Sequence, residues 1–174
     1  MSDQVNKLAS QMFQEIFNNL NSQAIKESVD ERGIDKFIEN AARIAAASGT
    51  IYIIPGLSLF GIPADIVNTV TQQFRVTLAV IYAKTGRYNP GFASFMAIVA
   101  ISLGVEIGIN IGMTIAKPVL ISCARAVLVR LSVKVIPIPI LGGALAAGAN
   151  YTFIKAIGHT LKTINMGEFE QYVA

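Results

Sequence analysis

The side chains that could carry covalent or metal chemistry are few in this sequence. His159 is the only histidine and Cys123 the only cysteine. A cysteine nucleophile needs a base beside it, and no spacing in the chain pairs these two. A zinc site built on one His and one Cys would need several carboxylates as well. The acids, however, crowd into the N-terminal third, as Asp3, Glu15, Glu27, Asp30, Glu31, Asp35 and Glu39. GLSLFG, residues 56–61, has no Lys-Ser/Thr after it and is no phosphate-binding loop. We therefore expect no catalytic residue, no metal site and no cofactor, with His159 and Cys123 structural. A lone cysteine allows no internal disulfide and suits a reducing compartment. The opening MSDQVNKLASQMFQ lacks the basic start and apolar run of a secretory signal.

Polar groups set inside apolar runs are more informative. Glu106 is the one charge in residues 91–116, and in a dry interior or in lipid it must be neutralised or paired. Arg43 and Arg125 are its candidate partners. With Asn68 and Asn150 they form an expected buried polar network, read either as core architecture or as a ligand or ion path.

Those groups have to be positioned by an unusually apolar chain. Hydrophobic residues make up 53% of the 174 and charged ones 14%, with a mean hydropathy of +0.54. A soluble domain typically carries about 25% charged residues, so this chain either hides its surface or presents it to lipid or a partner. Between Glu106 and Glu168 there is no acid, while Lys117, Arg125, Arg130, Lys134, Lys155 and Lys162 all fall there. An apolar and purely cationic stretch suits an anionic lipid surface. Of these cations, Lys117, Arg130, Lys134, Lys155 and Lys162 are the expected lipid contacts. Nucleic acid is not expected as a partner, because the bases are dispersed through apolar sequence with no RNA-binding or zinc-finger motif.

Periodicity predicts helices. Residues 4–25 carry Val5, Leu8, Met12, Phe13, Ile16, Phe17 and Leu20 in one stripe, an amphipathic helix expected to pack on the body of the protein. ESVDERG, residues 27–33, reads as a polar connection, and a second helix starts near Ile34. Ile44 to Ala64 is uncharged and long enough to span a bilayer, but Pro55, Gly56, Gly61 and Pro63 break it. A helix from Pro63 ends around Thr85-Gly86, and RYNPG turns the chain. Residues 91–116 read as one helix with Gly104, Gly108 and Gly112 along a side. That spacing is a close-packing face, in a membrane or in a soluble core. VLVRLSVKV, residues 127–135, alternates like a strand from Val129 to Val135, whereas the internal repeat below favours helix.

Shifted by 82 residues, the chain matches itself over 42–68 and 124–150. Ala42, Arg43, Ile54, Pro55, Leu59, Gly61, Ala64 and Asn68 meet identical residues, ending with Asn150. This predicts an all-α compact bundle of about six to seven helices, built around two pseudo-repeated, Pro/Gly-broken helical hairpins.

The blocks Gly61-Ile62-Pro63-Ala64-Asp65-Ile66, Gln73-Phe74-Arg75 and Ile81-Tyr82, followed by Ile138-Pro139-Ile140-Leu141-Gly142-Gly143 and Gly148-Ala149-Asn150-Tyr151, resemble the EcsC-like family of bacterial helical proteins. The resemblance covers roughly residues 40–165 of a single domain spanning 1–174. The amphipathic stretch at 4–25 lies outside it, and Tyr82 lacks the glycine that the family tends to place directly after the tyrosine. It implies an all-α, membrane-associated protein without established enzymatic activity. Three functions stay open. The first is a helical protein bound to, or partly inserted in, the cytoplasmic face of the inner membrane. The second is a soluble bundle working through protein contacts, and the third an oligomeric pore or carrier. The partners to expect are a lipid surface, a membrane protein, or further copies of the chain.

Overall fold

A computed structural model describes residues 3–47, 64–104, 142–165 and 167. These residues form six α-helices and no strand, an all-α bundle as the periodicity predicts. The helices are α1 (Asp3–Asn18), α2 (Ser22–Arg32), α3 (Ile34–Ala46), α4 (Ala64–Thr85), α5 (Phe92–Ser102) and α6 (Gly142–Thr163). The strand-like stretch at 127–135, both proline breaks and most of the second repeat copy lie outside the described residues.

The expected helix at 4–25 is two helices. Asn21 ends the first by capping the second, its Oδ1 accepting from the Ala24 N–H at 3.0 Å. Of ESVDERG, residues 27–32 are the C-terminal part of α2 rather than a connection. Gly33 alone joins α2 to α3, at φ 78°, a backbone angle that favours glycine. Its N–H donates to Val29 O, and its own carbonyl accepts from Phe37 N–H.

The apolar stripe of α1 docks as expected. Met12, Phe13 and Ile16 are buried, with Phe17 and Leu20 against the same core. Phe13 lies 5.5 Å from Phe74 of α4, Phe74 lies 5.0 Å from Phe95 of α5, and Phe95 lies 4.9 Å from Phe17. Tilted and edge-on rings at these separations add attraction beyond the area they bury.

At the centre, α3 packs against both α4 and α6, which also touch each other. Pairings along the seams fix the directions. Asn150 meets Ala45, Tyr151 and Lys155 meet Glu39, and Lys162 meets Asp35, so α6 runs antiparallel to α3. Asn68 meets Ile44, and Lys84 Nζ donates to Ile164 O, so α4 runs alongside α6 in the same direction. After Gly86 the chain doubles back along α4, with Tyr88 against Tyr82 and Phe95 against Phe74. The last residues of α3 and α5 and the first of α4 and α6 therefore lie toward one end of the bundle.

The single helix expected over 91–116 is also corrected. α5 stops at Ser102, where Leu103 and Gly104 donate back to Ala100 and Ile101, and Gly104 takes φ 71°. Gly104 is thus an exposed helix stop with open space around its Cα, not a packing glycine. Gly108 and Gly112 lie outside the described residues. The glycine that does let two helices approach is Gly158 of α6. A Cβ there would sit 2.7 Å from the Ile38 side chain of α3.

Candidate functional site

The chemistry-bearing side chains of the described residues gather along α3. The i, i+4 spacing of Glu39 and Arg43 puts both on one face of that helix, and Arg43 Nε donates to Glu39 Oε1 at 2.9 Å. From α6, Lys155 Nζ donates to Glu39 Oε2 at 3.0 Å, and Tyr151 Oη donates to the same carboxylate at 2.8–2.9 Å. One turn earlier Lys162 pairs with Asp35. Lys155, then Tyr151 and Arg43, hold the Glu39 carboxyl down at about 2. Lys162 lowers Asp35 likewise, and Glu39 raises both Tyr151 and Lys155. A second clasp joins α2 to α4. Tyr82 Oη donates to Asp30 at 2.6 Å, Lys26 pairs with Asp30 and also lies over the Tyr82 ring.

This arrangement revises several expectations. Lys155 and Lys162 are exposed, but each is already answered by a carboxylate of α3, so their role here is to join helices. Arg43 is not in a buried network. Its side chain is 72% exposed and reaches Glu39 rather than an interior acid. Lys117, Arg130, Lys134, Glu106, Arg125 and Cys123 lie outside the described residues. His159 is exposed on α6. Among the described residues no group of three or more His, Cys, Asp or Glu is placed to hold a metal ion.

Asn68 and Asn150 are both buried, as expected of the matched pair, and they converge on one place. Asn68 Nδ2 donates to Ile44 O at 3.0 Å and Asn150 Nδ2 to Ala45 O at 3.2 Å. The last carbonyls of a helix have no partner within it, and here two neighbouring ones at the end of α3 are taken by amides from α4 and α6. Asn68 heads a chain along α4: Gln72 Nε2 donates to Asn68 Oδ1, and Arg75 donates to Gln72 Oε1. The arginine tied to this network is therefore Arg75, which also lies over the Phe37 ring at 5.6 Å.

Sequence reading passed over Glu39, Tyr151 and Arg75 as a group. The Glu39–Arg43 spacing was legible, but Glu39 and Lys155 are 116 residues apart and nothing local connects them. It also passed over the polar ridge Thr69, Gln73 and Thr77, all fully buried on α4. Both amide atoms of Gln73 lack a partner among the described residues. No protein-family model, curated protein or solved structure matches this chain.

Proposed function

We propose that this is a non-enzymatic, membrane-associated helical protein of EcsC-like type, bound to or partly inserted in the cytoplasmic face of the inner membrane. One observation carries the reading. The uncharged stretch 48–63 and the stretch 105–141, whose only acid is Glu106 against four cations, both join the described helices toward the same end, where α3 and α5 stop and α4 and α6 begin. The ion pairs of α2, α3 and α6 lie along the sides. Helix ends that lead into both stretches at one end of the bundle suit a chain that offers them to a bilayer, and Lys117, Arg130 and Lys134 are the cations we assign to its anionic headgroups. No helix among the described residues is long and apolar enough to cross a membrane, so the reading invokes surface binding or partial insertion. Lys or Arg near such a surface contributes about 1 kcal/mol each before screening.

Flotation with phosphatidylglycerol vesicles tests it. The chain should float with anionic vesicles. Binding should weaken as salt rises from about 0.1 M to about 1 M, over which the screening length falls from about 10 Å to about 3 Å. Arg130→Gln with Lys134→Gln should reduce it further. A chain that stays at the bottom of the gradient with anionic and neutral vesicles alike would refute membrane binding and favour a bundle that works through protein contacts.

A further inference from the structure

The charges of α3 fall on two sides. Asp35 and Glu39 turn toward α6, where Lys162, Lys155 and Tyr151 meet them. Lys36 and Arg43 border a groove between α3 and α2, and Arg32 of α2 closes the opposite wall. The groove has a volume of about 320 Å³ and is lined also by Phe37, the Ser28 hydroxyl and the Asn40 amide. That volume is at the small end of the roughly 300–1,000 Å³ of ligand pockets.

Glu39 borders the groove too, but its two oxygens already accept from Arg43, Tyr151 and Lys155. Its negative charge is thereby met by Lys155 from α6 as well as by Arg43, which leaves the groove with a net positive lining. Arg32 has only an exposed neighbour, Glu31, at 3.3 Å, and Lys36 has no ion-pair partner among the described residues. Three cations, of which Arg43 is paired with the one carboxylate, thus line one small groove together with a hydroxyl and an amide. A group with acceptors on several sides and more than one negative charge would satisfy them together. Guanidinium forks and an ammonium suit a tetrahedral oxyanion better than a single carboxylate. We propose that the groove between α2 and α3 binds a phosphate group, carried either by a soluble phosphate ester or by a lipid headgroup. The groove runs along the side of the bundle between α2 and α3, with Arg43 nearest the end where α3 stops.

The test uses the full chain, isotope-labelled and titrated with glycerol 3-phosphate against sodium chloride of equal ionic strength. Saturable amide shifts are expected at Ser28, Lys36 and Asn40. Lys36→Gln and Arg32→Gln should each weaken binding by about tenfold, the loss of one charge-assisted contact. Lys162→Gln, on the far side of α3, should leave it intact. If the soluble ester does not bind but flotation on phosphatidylglycerol vesicles falls in Lys36→Gln and Arg32→Gln, the phosphate is a headgroup. The proposal is overturned if neither substitution changes the response to the ester or to vesicles. Because the ester needs no membrane, the groove can stand where flotation of the parent chain fails. Flotation indifferent to Lys36 and Arg32 would leave the membrane reading standing alone.

Discussion

Glu39 accepts from three side chains at once, and that makes it a pH-dependent fastener. Its carboxyl drops from an ordinary glutamate value near 4.5 to about 2. A lowered folded-state value stabilises the fold above the unfolded value, and that contribution disappears as pH falls through the folded one. Asp35 and Asp30 are lowered by Lys162 and Lys26 and carry the same sign. The melting temperature should therefore fall between about pH 5 and about pH 2. Glu39→Gln should lower it at neutral pH and flatten, without abolishing, that acid slope. An unchanged slope in this variant would remove Glu39 from the account. Tyr151 is raised by the same carboxylate, so its share of the seam is lost only at strongly alkaline pH, above about 10.

At the scale of helices, two glycines do different work. Gly158→Ala should destabilise for want of space, since the new methyl meets Ile38 Cγ2, an atom close to the backbone. Overpacking costs about 1–3 kcal/mol and alanine's helix preference returns about 1 kcal/mol. A net loss of up to about 2 kcal/mol should lower the melting temperature by up to a few degrees. Ile38→Ala opens the same space, so the two substitutions together should cost less than their sum, and strict additivity would refute the close contact. The helix interiors were legible because their apolar stripes and small residues repeat at helical spacing. α4 ends at Thr85, beside the expected stop, and α3 starts at Ile34. The errors came where local chemistry overrides the stripe. Asn21 caps a new helix inside one apolar pattern, Gly33 lets a charged segment stay helical, and Gly104 stops a run whose periodicity continues beyond it. The α3–α6 contacts could not be read at all, because Glu39, Tyr151 and Lys155 sit in segments that mean little apart. The matched asparagines were visible, whereas the two carbonyls that they share were not.

Across the whole molecule, the seam that holds α3 joins residues made far apart in time. Asn150 reaches Ala45 over 105 residues, and Lys162 reaches Asp35 over 127. Contacts of such long range form slowly, and a chain emerging from the ribosome can make none of them until its late part is out. A variant ending before Gly142 lacks α6 altogether, and with it Ile154, Ile157 and Leu161 of the core. It is expected to melt without a cooperative transition and to bind a dye for exposed apolar surface, whereas a sharp melt would show that the first five helices suffice. During synthesis, then, the nascent bundle carries an open, sticky face through most of its translation. Whatever shields that face, whether a holding chaperone or a membrane surface, would act on the growing chain rather than on the finished fold.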